Sequence, residues 1–125
     1  MIPIYLDNLE KTLSIIQEKL TSLEDKDSYR IMFICDEILS NLLRHANFLD
    51  KTPDASCEII LKNSISLVFK DNAKEFNILD YPDPDTTLDI DERSLGGLGI
   101  YLSKKYAKNI SYRYENGYNI LEIEL

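Results

Sequence analysis

Hydrophobic residues recur at helical spacing early in the chain, and later runs show the alternation typical of strands. At 100° per residue, residues 31–46 place one apolar arc on a helix. Its members are Ile31, Ile34, Cys35, Ile38, Leu42 and Ala46, widened by Leu39 and Leu43. This pattern predicts a central amphipathic helix that ends at about Asn47. An earlier helix, capped by Asp7 or Asn8, is predicted from the stripe Leu9, Leu13, Ile16, Leu20 and Leu23. The polar run 24–28 is expected to separate the two helices.

Runs rich in strand-forming residues predict two hairpins and an edge strand. Residues 57–61 and 65–69 flank a short polar turn, and residues 110–114 and 118–125 flank Asn116-Gly117. Asn-Gly suits a type I′ turn, because both central residues need a positive φ. In the last run, apolar residues alternate with Glu122 and Glu124, which indicates a sheet with one buried face. The apolar run 2–5 contains a proline and predicts an edge strand.

The predicted element order is β-α-α-β-β-loop-α-β-β, within one domain over residues 1–125. Hairpins and helices are grouped rather than alternating. The order therefore predicts an α+β two-layer sandwich, with a mixed, mostly antiparallel sheet and helices on one face. The loop is the acidic segment 74–95, interrupted by Pro82 and Pro84. Such a long insert is typical of a functional segment, and its composition also fits a disordered surface loop.

Composition narrows the possible partners and the compartment. The net charge of −8 argues against binding to nucleic-acid backbones or anionic membranes, which need a basic patch, and is compatible with a basic protein partner. There is no apolar run long enough for a membrane span, and the first residues lack the pattern of a secretory signal. Cys35 lies on the apolar arc, apart in sequence from Cys57, which favours a core role and a cytoplasmic setting. With a single His, a structural zinc site is not expected.

The first candidate for chemistry is the pair Glu37 and Asn41, one helical turn apart on the same flank of the apolar arc. Asn is less favourable than Ala inside a helix by roughly 0.7 kcal/mol. A carboxylate and a carboxamide so placed can direct oxygens at one point. One can take a proton while the other ligates a hard cation. The alternative is a solvated flank that holds both residues by chance.

Two further features lie downstream. Asp71 follows the predicted strand 65–69, and a carboxylate at a strand end can accept a hydrogen bond from an exocyclic amine such as that of adenine. A turn-forming Asp-Asn is the alternative. Gly96-Gly97-Leu98-Gly99 precedes a helical stripe of apolar and aromatic residues. Glycines let the backbone approach an anion, and free amides at a helix start point towards it; a plain connection is the alternative.

The order of these features resembles the layout of the GHKL (histidine-kinase-like) ATPases. More narrowly, the chain resembles the bacterial anti-sigma factors that are also serine-protein kinases. The matching stretches are residues 36–46, 69–76, 82–85 and 95–100. The resemblance covers nearly the whole chain, and the set of motifs is specific when taken together.

The resemblance implies ATP and Mg²⁺ as cofactors and a role for each matching residue. Glu37 would be the general base that takes the proton from a substrate serine. Asn41 would hold Mg²⁺ through its carboxamide oxygen, and Asp71 would bind the adenine amino group. Phosphates would be cradled at residues 96–99, namely Gly96, Gly97, Leu98 and Gly99, and the acidic segment would be the ATP lid. Phosphoryl transfer needs this combination of positioning, metal and base.

Three further observations bear on this resemblance. The family usually carries Gly at the nucleotide-contacting position that Ala73 occupies here, and a Cβ would crowd the base or move the strand end. The lid has no basic residue before Arg93, so Arg93, Lys104 and Lys105 are expected to help Mg²⁺ and the amides compensate the phosphate charge. His45 matches the family pattern, either as a catalytic residue or as a helix-end residue packed beside the core.

The implied function is an ATP-binding anti-sigma regulatory factor with serine-protein kinase activity. It would phosphorylate a small anti-sigma-factor antagonist and sequester a sigma factor, with a homodimer as a further assembly and no direct contact with nucleic acid or membrane. The alternative is a nucleotide-binding module that sequesters a partner without phosphate transfer. Retention of both Glu37 and Asn41 favours the kinase. A sensor histidine kinase fits less well, because no two-helix segment with a phosphoacceptor His precedes these motifs.

Overall fold

A computed structural model describes residues 1–80 and 98–125. Its strands are β1 (Ile2–Pro3), β2 (Ala55–Leu61), β3 (Ile65–Asp71), β4 (Asn109–Glu115) and β5 (Tyr118–Glu124). Its helices are α1 (Leu9–Lys19), α2 (Asp25–His45) and α3 (Leu98–Tyr106), with a short 3₁₀-helix at Ile78–Asp80. The strands form one sheet in the order β1-β2-β3-β5-β4, and every pairing among them is antiparallel. The α+β prediction is therefore confirmed.

The core lies between the helices and one face of the sheet. Leu67 and Phe69 of β3 and Leu121 and Ile123 of β5 are buried in one cluster with the apolar arc of α2. Burial of each such side chain stabilises the fold by roughly 1.5–3 kcal/mol. Among the described residues, no helix is both apolar enough and long enough to span a membrane.

The start of α2 differs from the prediction. The polar run 24–28 was expected to separate the helices, but α2 begins at Asp25, after the N-cap residue Glu24. Asp25 and Asp27 lie in the first turn, where carboxylates interact favourably with the positive end of the helix dipole. The charged run is therefore a helix start, and the break between α1 and α2 is correspondingly short.

The other boundaries follow the predictions to within two to four residues. Asn8, rather than Asp7, caps α1, because its Oδ1 accepts a hydrogen bond from Lys11 N at 3.2 Å. The first hairpin is longer than predicted, since β2 begins at Ala55 and β3 continues to Asp71. Asn116 and Gly117 have φ of 54° and 83°, as the type I′ turn requires. The edge position of β1 is confirmed.

Of the predicted loop 74–95, residues 74–80 are described and end in the short 3₁₀-helix Ile78–Asp80; the rest of the predicted lid lies outside the described residues, as do Gly96 and Gly97. Cys35 and Cys57 are both buried, which confirms the core role of Cys35. Burial raises the pKa of both thiols, that of Cys57 to about 11. Both side chains are therefore inert core groups in the folded protein.

Candidate functional site

A pocket lies between α2 and the sheet, beside the end of β3. Asn41, Asp71 and Ala73 all line it, so the structure brings three of the predicted site residues together. Its apolar wall comes from both layers and includes Ile38, Leu39, Leu42, Phe69, Ile78 and Leu121. A largely apolar pocket with a few convergent polar groups is typical of a small-molecule site.

Glu37 and Asn41 lie one turn apart on α2; Asn41 lines this pocket, and Glu37 is not among its lining residues. Asn41 is only 2% exposed, and its Nδ2 donates a hydrogen bond to Glu37 Oε1 at 3.3 Å. Glu37 itself keeps a side chain that is 19% exposed. The carboxamide is thus held at the pocket wall, while the carboxylate lies one turn away, nearer to solvent.

Arg44 completes this group, although the sequence analysis did not single it out. Its Nη2 donates to Asn41 Oδ1 at 2.8 Å and lies 3.8 Å from Glu37 Oε1. The available signal was its spacing, three residues after Asn41 and seven after Glu37, which keeps all three on one side of a helix. Arg44 therefore holds the oxygen that was predicted to ligate a metal.

The donor set fits a metal that arrives with phosphates. A carboxamide oxygen has two lone pairs, so Asn41 Oδ1 retains one beyond the contact with Arg44. Mg²⁺ usually takes one or two protein oxygens and completes its shell with phosphates and water. Within residues 1–80 and 98–125, no cluster of His, Cys, Asp or Glu could hold a metal by itself. The site accordingly suits a metal–nucleotide complex better than a resident ion.

Asp71 is the last residue of β3, and two donors hold one of its oxygens. Asp71 Oδ1 accepts hydrogen bonds from Ala73 N at 3.0 Å and from Asn119 Nδ2 at 2.9 Å. Burial raises the pKa of the Asp71 carboxyl above its ordinary value, and these two hydrogen bonds act in the opposite direction. The carboxylate is therefore a half-buried acceptor with one fixed oxygen at the pocket.

Asn119 is the second site residue that the sequence analysis missed. It lies directly opposite Asp71 in the pairing of β3 with β5, and it is 6% exposed. Its signal in the sequence was weak: a polar residue at an inward position of a strand whose other inward residues are Leu121, Ile123 and Leu125. A buried carboxamide at such a position requires partners, and here they belong to the pocket.

Ala73 occupies the position where the resembled family usually has Gly. It is 2% exposed, and its N–H bonds back to Asp71. Among the described non-glycine residues, positive φ occurs at Leu49 and Asn116, so Ala73 does not need the left-handed backbone that favours Gly. The backbone here accepts a Cβ without strain, and crowding of a base stays a prediction.

Replacement of Ala73 by Gly is expected to lower the free energy of unfolding by about 0.4–1 kcal/mol. The reason is that Gly gains more conformational freedom in the unfolded chain, while the native φ at this position offers Gly no advantage. Urea unfolding of the two proteins, monitored by circular dichroism, measures the difference. A more stable Ala73→Gly variant would contradict the strain-free geometry.

His45 and Phe76 form an aromatic pair at the pocket. Their ring centroids are 5.5 Å apart with planes inclined by 14°, and both residues line the pocket. His45 is exposed and Phe76 is 41% exposed, so this stack lies at the surface and not in the core; the catalytic and the packing role of His45 both stay predictions. Together the rings give the pocket a flat side near Asn41.

The predicted phosphate cradle is described only where α3 begins. Leu98 and Gly99 are the first two residues of α3, so a helix starts at the predicted place. Gly96 and Gly97 lie outside the described residues. Lys104 and Lys105 lie in the last turn of α3, about 7–9 Å along the axis from Gly99. That position makes them poor candidates for direct contact with an anion at the helix start.

The protein has an antiparallel sheet covered by helices on one face. A pocket between the two layers is lined by a carboxylate at a strand end, Asp71, and by a carboxamide on a helix, Asn41. Comparison with protein families identifies the family. The model of the histidine kinase-like ATPase domain matches residues 2–125, and the chain belongs to this family. Membership implies ATP binding, and the resemblance to GHKL ATPases is thereby confirmed at the level of the family. A search among curated proteins gives no match.

Proposed function

We propose that this protein is an ATP-dependent serine-protein kinase and anti-sigma factor. It transfers the γ-phosphoryl group of ATP to a serine of a small anti-sigma-factor antagonist, and in its other state it sequesters a sigma factor. The observation that carries the kinase proposal is the pair Glu37 and Asn41, hydrogen-bonded at 3.3 Å, of which Asn41 lines the same pocket as Asp71.

Each of these residues suits one part of phosphoryl transfer. Asp71 accepts a hydrogen bond from the adenine amino group at the inner end of the site. Asn41 offers a carboxamide oxygen to Mg²⁺, which when bound would neutralise charge on the phosphates. Glu37 accepts the proton of the serine hydroxyl. At the same time the serine oxygen bonds to the γ-phosphorus, and the bond between the γ-phosphorus and the oxygen of the leaving ADP breaks. The carboxylate lies outward of the carboxamide, on the side from which an acceptor hydroxyl would approach.

An exposed apolar strip on α2 supports a protein acceptor. Tyr29 is 73% exposed and Phe33 is 48% exposed, and Phe33 lies one helical turn before Glu37 on the same side of the helix. Leu43 is 48% exposed as well, but it lies about 120° around the helix from Glu37 and is not part of this strip. Exposed aromatic residues in a row are typical of protein-binding surfaces. A small folded substrate docked there would bring a surface serine close to Glu37.

The test is to mix the purified protein with Mg-ATP and with antagonist proteins encoded near its gene, and to search for phosphoserine by mass spectrometry. The proposal expects one phosphoserine on one acceptor, absent when the acceptor serine is changed to Ala. Co-elution with a sigma factor in gel filtration tests the sequestering role. If the protein binds ATP tightly and captures a partner but transfers phosphate to none of the antagonist proteins, it is a sequestering module and not a kinase.

Replacement of Asn41 by Ala is expected to weaken the dependence of ATP affinity on Mg²⁺. The carboxamide is the metal ligand in this proposal, so its loss should bring the ratio of ATP affinities with and without Mg²⁺ close to one. Turnover should fall with it. Isothermal titration calorimetry of wild type and variant, in Mg²⁺ and in EDTA, measures the ratio.

A matched control for this variant is Asn63→Ala, in the exposed turn between β2 and β3. It should leave the ratio unchanged. If Asn41→Ala lowers ATP affinity equally in Mg²⁺ and EDTA, then Asn41 serves the shape of the pocket rather than the metal.

A further inference from the structure

Asn119 lies at the centre of a hydrogen-bond network that joins three separate parts of the pocket. Its Nδ2 lies 2.9 Å from Asp71 Oδ1, 3.2 Å from Ala73 O and 3.1 Å from Lys74 O. Its Oδ1 accepts hydrogen bonds from Phe76 N at 2.9 Å and from Tyr112 Oη at 2.5 Å. One side chain on β5 thus fixes the end of β3, the segment that follows it, and β4.

The orientation of the carboxamide is determined by these partners. Three acceptors surround the nitrogen and two donors surround the oxygen. A rotation that exchanged Nδ2 and Oδ1 would place an oxygen against three oxygens and a nitrogen against two donors. The donor is therefore always presented to Asp71.

Building on the proposed nucleotide site, we infer that Asn119 is a positioning residue that determines which base the pocket accepts. Asn119 Nδ2 and Ala73 N both donate hydrogen bonds to Asp71 Oδ1. The other oxygen of Asp71, Oδ2, is therefore the one that accepts a hydrogen bond from a ligand. A carboxylate held ionised in one orientation accepts from the 6-amino group of adenine and repels the 6-oxo group of hypoxanthine. Asn119 thus acts through Asp71, without touching the base.

The charge balance at Asp71 supports this role. Burial favours the protonated carboxyl and raises its pKa, and the hydrogen bond from Asn119 is the largest effect in the opposite direction. Without Asn119, Asp71 would more readily take a proton or rotate. A protonated carboxyl can donate to a 6-oxo group, and a rotated carboxylate no longer directs Oδ2 at the 6-amino group, so discrimination between the two bases would weaken.

The experiment measures the dissociation constants of ATP and inosine triphosphate, which differ at this exocyclic group. Wild type should prefer ATP, and in Asn119→Leu the ratio of the two constants should fall by about tenfold or more, the scale of a hydrogen bond to a charged group. Asn119→Asp should also lose the preference, because a second carboxylate would lie beside Asp71. Asn109→Leu, at the start of β4, is the matched control and should keep the wild-type ratio.

The ratio separates positioning from a structural role. If Asn119 only stabilises the fold, both affinities should fall in parallel and the ratio should stay at its wild-type value, which would overturn the inference. Should the Asn119 variants fail to fold, Tyr112→Phe decides, because it removes one of the two donors that hold Asn119 Oδ1. That variant should lower the ratio by about twofold or more, and an unchanged ratio counts against the inference.

The inference and the proposed function fail in different ways. A wild type that binds neither nucleotide overturns both. A wild type that binds ATP and prefers it over inosine triphosphate, with the same preference in Asn119→Leu, overturns the positioning role alone and leaves the nucleotide site intact.

Discussion

Replacement of Glu37 by Ala is expected to slow phosphate transfer by about 10²- to 10⁴-fold, the usual contribution of a general base. The affinity for Mg-ATP should stay close to that of wild type, because in the proposed mechanism Asp71 and the pocket wall bind the nucleotide and Glu37 acts on the acceptor hydroxyl. Single-turnover transfer of labelled phosphate from ATP to the antagonist, together with calorimetry of ATP binding, measures both quantities.

Asp36→Ala is the matched control for this experiment. Asp36 is the preceding residue of α2, carries the same charge and is exposed. The control shows whether removal of any carboxylate from this helix disturbs docking of the acceptor. Equal transfer rates in wild type and Glu37→Ala would exclude the general-base role. A parallel loss in both variants would point to charge at the docking surface instead.

Replacement of Asp71 by Asn is expected to weaken ATP binding by about 1.5–3 kcal/mol, which corresponds to roughly 10- to 150-fold in the dissociation constant. The variant keeps an oxygen for Ala73 N and Asn119 Nδ2, but it loses the charged acceptor for the adenine amino group. Calorimetry with ATP gives the change. Asp50→Asn, an exposed substitution in the segment that follows α2, provides the control.

The stability of the Asp71 variant provides an independent check. Burial raises the Asp71 pKa in the folded state, so the folded chain binds more protons than the unfolded chain between the ordinary and the raised value. This group therefore makes the folded state less stable as pH rises through that window. At neutral pH, Asp71→Asn should unfold at the same temperature as wild type or higher. Weaker ATP binding with a lower unfolding temperature would indicate a damaged fold instead.

Local patterns in the sequence were enough to predict most of the fold and part of the site. The helical period placed Glu37 and Asn41 together, and Asn116-Gly117 fixed the turn between β4 and β5. Asp71 was placed correctly at the end of β3, although its strand is longer than the hydrophobic run. Each of these features depends on residues within a few positions of one another, which is the range over which spacing is informative.

The features that were missed depend on other interactions. The charged run 24–28 was interpreted as a break between helices. Its carboxylates instead favour a helix start at Asp25, because they interact with the positive end of the helix dipole. Arg44 becomes informative only once its contact with Asn41 is seen. Asn119 could not be recognised because its role arises from the register of two strands distant in sequence, and no local pattern specifies which residues of β3 and β5 lie opposite each other.

The pairing of β3 with β5 also sets the point during synthesis at which the proposed base-recognition pair, Asp71 and Asn119, is complete. Asp71 and Asn119 are 48 positions apart, so a growing chain has completed α2 and β3 long before β5 leaves the ribosome. Until then Asp71 lacks its partner. Nucleotide that binds only the finished pairing stabilises it by mass action. With the proposed site, ATP would therefore stabilise the complete chain and not a truncated chain that lacks β5.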